Sequence, residues 1–157
     1  MDEISIREAV AEDAALLLQF ITALAEYEHL EGEVEATEEG LRQTVFEDKG
    51  AEALIAEYNG EAAGFALFFH NYSTFKGKRG IYLEDLFVKP ELRGRGIGKA
   101  LLQKVADIAA RRGCGRLEWV CLDWNTPSIA FYRSIGALPL SDWTTYRITG
   151  DKLAYIV

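Results

Sequence analysis

The residues best equipped for chemistry lie between positions 81 and 99. Glu84 and Asp85 stand side by side in an otherwise apolar run, Ile81 to Val88. Charged groups inside such a run demand a partner or a function. In a regular strand successive side chains face opposite sides, so one carboxylate would meet a ligand while the other points away. After a turn at Lys89-Pro90-Glu91 comes Arg93-Gly94-Arg95-Gly96-Ile97-Gly98-Lys99. Its glycines leave the backbone N–H groups unshielded and tolerate the φ values of a tight turn. The loop opens directly into a helical pattern, with Ile97, Leu101, Val105 and Ile108 at three- and four-residue spacing. First-turn N–H groups have no intrahelical acceptor. A strand, a glycine turn and a helix in that order make an anion site for a phosphate or pyrophosphate. Arg93, Arg95 and Lys99 add positive charge. The plainer readings are a helix start that happens to be glycine-rich, and a salt-bridged strand pair.

Three glycine loops could be meant. The P-loop requires Ser or Thr after its lysine, and Ala100 follows Lys99. The Rossmann fingerprint does not fit glycines at 94, 96 and 98, and it belongs to an early β-α-β unit. The third pattern, Arg/Gln-x-x-Gly-x-Gly/Ala, is met by Arg93, Gly96 and Gly98. It resembles the acetyl-CoA loop of the GNAT superfamily of N-acetyltransferases. A second segment, Asn125-Thr126-Pro127-Ser128-Ile129-Ala130-Phe131-Tyr132-Arg133-Ser134-Ile135-Gly136-Ala137, resembles the stretch that follows the fifth strand in that family. Within it, Ala25-Glu26-Tyr27-Glu28-His29, Tyr82-Leu83-Glu84-Asp85-Leu86-Phe87-Val88 and Leu122-Asp123-Trp124-Asn125 look like the diamine (spermidine/spermine) and thialysine acetyltransferase group. Leu-Asp-Trp-Asn is closer to the thialysine members. Where the polyamine members carry Asp-Pro-Trp, this chain has Ser73-Thr74-Phe75, which removes one ammonium partner.

The resemblance implies acetyl transfer from acetyl-CoA to a primary amine by direct attack. The backbone of Leu86, Phe87 and Val88 would pair with the pantetheine where two strands splay apart. Arg93, Gly94, Arg95, Gly96, Ile97, Gly98 and Lys99 would hold the pyrophosphate. Asn125, Ser128, Tyr132 and Arg133 would complete the cofactor site, although Asn125 reads equally well as a turn residue or helix cap. A lysine-like amine has a pKa near ~10.4, so freeing it at pH 7 costs roughly 4 to 5 kcal/mol, and a positioned base is needed. By family analogy Glu84 is that base, acting through water, and Asp85 binds the amine. Tyr132 matches the general acid that protonates the departing thiolate; the alternative is a core tyrosine beside Phe131. Tyr27, Glu28, Phe75 and Trp143 correspond to positions lining the amine pocket, and the similar enzymes are homodimers that exchange C-terminal segments.

Around these residues the chain reads as an α/β domain over residues 1–157, a mixed sheet with helices on both faces. Strand-like runs are Ile4 to Arg7, Ala53 to Tyr58, Ala62 to Phe69, Ile81 to Val88, Arg116 to Leu122, Thr144 to Ile148 and Leu153 to Val157, about seven in all. Asn59-Gly60 between two of them signals a hairpin. About four helices are expected: Asp13 to Tyr27, one capped by Thr37, one from the glycine loop to Arg112, and Pro127 to Ile135. Asn71 to Gly80 reads as a loop. The glutamates at 26, 28, 31, 33 and 35 form either a solvated loop or the acidic wall of a substrate cleft.

The chain has 157 residues, 49% hydrophobic and 27% charged, which suits one soluble domain with a full core. A formal net charge of −8 argues against nucleic-acid binding, which needs a basic face, and suits a small cationic substrate. No apolar run reaches the roughly 20 residues of a membrane span, and the first residues lack the features of a signal peptide. Two cysteines make no disulfide framework, so a cytoplasmic location is expected. With His29 and His70 they show no metal-ligand spacing, so no metal is expected. Two other functions remain open: acetylation of a protein N-terminus or lysine side chain, and a regulatory domain that binds coenzyme A without turnover.

Overall fold

A computed structural model describes residues 2–155. The chain divides into two compact units, residues 1–120 and 121–157.

The first unit is a five-stranded sheet in the order β1 (Ile4–Glu8), β2 (Glu52–Tyr58), β3 (Glu61–Ser73), β4 (Lys78–Val88) and β5 (Leu117–Glu118). The first four strands are antiparallel in sequence, and β5 joins β4 in parallel. The turn between β2 and β3 has Asn59 at φ 52° and Gly60 at φ 85°. This is the pair of left-handed residues that matches a two-residue turn to the twist of its strands.

Alternation along the strands sorts the core into two layers. Ala53, Ile55, Phe65, Leu67 and Phe87 face α1 (Ala14–Tyr27), where Leu17 and Phe20 meet them. The ring of Phe20 stacks on Phe65 with centroids 5.4 Å apart. The intervening residues face α3 (Ile97–Arg111), whose Ile97, Leu101, Leu102 and Val105 are buried. Between the two long helices, Thr37 caps α2 (Glu38–Leu41), its hydroxyl accepting from the Gly40 N–H at 3.0 Å. A π-helical turn, Arg42–Glu47, then carries Val45 into the core.

Gly64, opposite Val88, has a steric reason to be glycine. A Cβ there would strike the Phe87 carbonyl oxygen and lie 3.1 Å from the Val88 Cα, and backbone cannot swing aside. Gly64→Ala is expected to destabilise the fold by about 3 kcal/mol. The test is the urea midpoint, which should fall at unchanged slope; a wild-type midpoint would show that the strand pair relaxes freely.

The second unit contains α4 (Thr126–Ser134) and one 3-10 turn, Gly150–Ala154. The structure corrects several expectations. Among the described residues the sheet has five strands rather than about seven. Residues 144–148 form no strand, and 150–154 form the 3-10 turn. The last two residues of the expected final strand, 156 and 157, lie outside the described residues. Alternation alone does not make a strand; it needs a partner edge and a surface to bury against. Here Trp143, Tyr146 and Tyr155 remain exposed. The strand expected over Arg116 to Leu122 shrinks to Leu117–Glu118. The loop expected over Asn71 to Gly80 is instead a tight continuation of β3 and β4, which pair up to Ser73 and Lys78.

Candidate functional site

The register of β3 against β4 slips by one residue beside the carboxylates. Leu67 pairs with Asp85, and Phe68 pairs with Leu83, so Glu84 has no opposite number. It is the extra residue of a β-bulge, a device that re-aims side chains. The regular alternation that would put Glu84 and Asp85 on opposite sides is interrupted here. Both line one cavity of about 350 Å³, together with Glu28 at the end of α1 and Glu33 and Glu35 in the segment that follows. Ile21, Leu24 and Val34 supply its apolar wall. Five carboxylates and no basic residue line this cavity. Of the sequence cluster, Glu28, Glu33 and Glu35 belong to it, whereas Glu26 lies on a different and larger concavity of about 500 Å³ along α1. That larger one holds Glu26 and Glu38 as its acids and none of the β4 residues.

Crowding of like charges has a consequence for protonation. Burial, then Glu84 and then Glu28 push the Asp85 carboxyl up to about 7. Burial also raises Glu28 above the ordinary carboxylate range. At neutral pH, Asp85 is poised between its two states, the condition that suits a group exchanging a proton with a substrate.

The stretch of β4 that holds these carboxylates also has an open edge. The ladder with β5 consists of two pairs, Ile81 with Leu117 and Tyr82 with Glu118. From Leu83 to Val88 that edge of β4 has no ladder partner among the described residues, so Leu86, Phe87 and Val88 present backbone groups that an extended amide chain can meet. The glycine loop follows. Gly94 and Gly96 have φ of 78° and 85°, the left-handed region, with open space where a Cβ would stand. Conformation, not crowding, calls for glycine there. Gly96 is the N-cap of α3 and offers no side-chain cap, so the N–H groups of Ile97, Gly98 and Lys99 remain available to an anion. Gly98 sits in ordinary contact range of a Val88 methyl, 3.7 Å from where its Cβ would stand. The two arginines are held on aromatic rings. Arg93 lies over Tyr27 at 4.5 Å and Arg95 over Tyr58 at 5.2 Å, donating to the Tyr58 hydroxyl at 3.1 Å. Lys99 is exposed. Uncapped N–H groups, positive charge and an open strand edge fit the diphosphate and amide chain of coenzyme A.

Other expected positions fall elsewhere. Tyr27 is half-buried against Arg93 and is not on the cavity wall. Phe75 sits on the β3–β4 turn, fully exposed, away from the cavity lining. In the second unit, Asn125 is buried and caps α4, its side-chain oxygen accepting from the Ser128 N–H at 3.4 Å. The helix-cap reading of Asn125 is thus present. Tyr132 is half-buried beside Phe131, with ring centroids 5.5 Å apart. Arg133 is exposed and Ser128 half-buried, and Trp143 is 80% exposed. Glu33 and Glu35 were legible only as members of an acidic cluster; nothing in their spacing separated them from Glu26 and Glu31.

The model of the acetyltransferase (GNAT) family matches residues 17–137. The chain belongs to the GNAT family. It is an acetyl-CoA-dependent N-acetyltransferase, and its α/β sheet is the GNAT fold. Among its relatives is the thialysine N-epsilon-acetyltransferase of Bos taurus, 40% identical, with 96% of this chain and 95% of that protein covered. The L-ornithine N5-acetyltransferase of Arabidopsis thaliana is 47% identical over 60% of this chain and 41% of its own length. Of solved structures, an integron cassette protein from the mobile metagenome of V. cholerae superposes with a TM-score of 0.79 at 30% identity, covering 98% of each chain. Among the described residues no group of three His, Cys, Asp or Glu is placed to hold a metal ion, and no helix is long and apolar enough to cross a membrane.

Proposed function

We propose that this GNAT enzyme acetylates a primary amine of a small cationic substrate: a diamine, a polyamine or a lysine analogue such as thialysine. The observation that carries the reading is the bulge at Glu84, which turns two carboxylates into one acidic cavity beside the open edge of β4. An ammonium group is drawn there by charge. The relative that acts on thialysine, alike over nearly its whole length, supports the same class.

The reaction has three demands, and the chain has residues for each. Acetyl-CoA lies with its pantetheine along Leu86, Phe87 and Val88 and its diphosphate on residues 93–99; by family analogy Asn125, Ser128 and Arg133 are further cofactor positions. The amine is held by Asp85 and Glu28, with Tyr27, Phe75 and Trp143 as further family positions. Glu84, exposed on the bulge, takes the amine proton through water. The raised pKa of Asp85 favours a second reading in which Asp85 is itself the acceptor. The neutral amine attacks the thioester carbonyl, and Tyr132 protonates the departing thiolate as the tetrahedral intermediate collapses. With an ordinary pKa near ~10, a tyrosine carries that proton at pH 7.

Residues 1–157 act as one GNAT domain, in the cytoplasm, without a metal, nucleic acid or membrane as partner. A homodimer gives the exposed Trp143, Tyr146 and Tyr155 a surface to bury against.

The test is thiol release from acetyl-CoA with spermidine, spermine, putrescine, thialysine, lysine and short peptides. Turnover on one of the small amines is expected, reduced by Glu84→Gln and by Asp85→Asn. Tight binding of acetyl-CoA with thiol release only on peptides would transfer the assignment to a protein acetyltransferase. Binding with no release at all would leave a regulatory domain.

A further inference from the structure

The end of α1 faces two ways. Tyr27 is its last residue, and the chain closes behind it with Leu30 N–H donating to Ala25 at 2.8 Å and His29 N–H to Glu26 at 3.2 Å. This is a Schellman closure, which places its C′ residue in the left-handed region. That residue is usually glycine; here it is His29 at φ 61°. A side chain in that conformation is strained, so the closure is a soft end to the helix. Glu28 and Leu30, inside it, line the acidic cavity.

Tyr27, immediately before them, touches the glycine loop. The Arg93 guanidinium lies 4.5 Å from the Tyr27 ring centroid and 5.6 Å from that of Phe87, with its Nε donating to the Val88 carbonyl at 3.0 Å. Three elements, α1, β4 and the loop, therefore meet on one planar cation. These contacts use the faces and the Nε of Arg93. Among the described residues its two terminal nitrogens have no hydrogen-bond partner, and the residue is exposed. Those nitrogens form the flat fork that grips a phosphate in two places.

We propose that Arg93 is a positioning residue that couples the two halves of the site. An oxyanion gripping its terminal nitrogens locks the guanidinium over Tyr27, and the locked ring fixes the α1 closure that carries Glu28 into the amine cavity. Filling the cofactor loop thereby firms the wall against which the amine binds. This rests on the reading of residues 93–99 as the diphosphate site of coenzyme A.

Hydrogen exchange separates the two claims, with coenzyme A itself as the probe and no amine present. In the wild type, saturating coenzyme A is expected to slow exchange at the Glu28, His29 and Leu30 amides by about fivefold. Arg93→Lys keeps the charge but loses the planar stack and the Nε bond. Tyr27→Leu keeps apolar bulk but loses the ring face. In both variants, saturated with coenzyme A as checked by calorimetry, the slowing should fall below about twofold. A purely structural role would change exchange equally with and without ligand and leave the ratio intact. Equal slowing in wild type and variants overturns the coupling, as does coenzyme A binding to the wild type without any slowing. Failure of the wild type to bind coenzyme A in the calorimeter removes the diphosphate site itself, and the coupling with it.

Discussion

Asp85→Asn is expected to make the protein more stable at pH 8 while disabling it. The carboxyl moves from an ordinary 3.8 to about 7 in the folded state. Between these values the native protein holds a proton that the unfolded chain has released. Stability therefore falls as pH rises from about 4 to about 7 and is flat beyond. At roughly 1.36 kcal/mol per unit, the whole penalty is as much as about 4 kcal/mol. Asparagine cannot ionise, and its N–H groups can donate to neighbouring carboxylates, so the penalty vanishes. The gain over wild type should be small near pH 4 and reach its ceiling above pH 7. Urea midpoints at pH 5 and pH 8 check this; an identical difference at the two pH values would mean that Asp85 titrates normally. Activity should move the other way. An ammonium that loses a partly buried carboxylate partner should show a KM at least about tenfold higher, with the KM for acetyl-CoA unchanged.

Tyr132→Phe is expected to lower kcat about 100-fold, the scale of a lost general acid, while coenzyme A affinity stays within about twofold. The ring packs beside Phe131 and remains after the change. The pH profile is the sharper readout. Wild-type kcat should decline on the alkaline side once the general acid has lost its proton, and the variant should lack that limb. Should kcat drop less than about threefold, water protonates the thiolate unaided, and Tyr132 reverts to a packing residue.

The parts of this molecule that were legible in the sequence are those specified by local chemistry. Asn59-Gly60 fixed its hairpin because both residues accept positive φ. Thr37 marked a helix start because its hydroxyl replaces a missing acceptor. The strand, glycine turn and helix from Ile81 to Arg111 were readable because each step has its own periodicity or residue type. What escaped depends on partners distant in sequence. The bulge is set by how β4 registers on β3, and nothing in Leu83-Glu84-Asp85 announces a skipped position. Arg93 read as a phosphate ligand; its place over Tyr27 follows from the packing of α1 on the sheet, sixty-odd residues away in the chain. The two final runs look like strands by residue type, but among the described residues the unit that holds them has no strand for them to pair with.

The bulge at Glu84 also says something about how such a site can be gained or lost. Leu83 pairs with Phe68 and Asp85 with Leu67, neighbours on β3, so the strand on either side of Glu84 is already in phase with an unbroken ladder. Every other side chain of β4 would keep its face if the residue were absent. The second carboxylate is thus carried by one extra residue on a ladder that is otherwise in phase, so deleting Glu84 alone is expected to leave the β3–β4 pairing intact and remove one acid from the cavity.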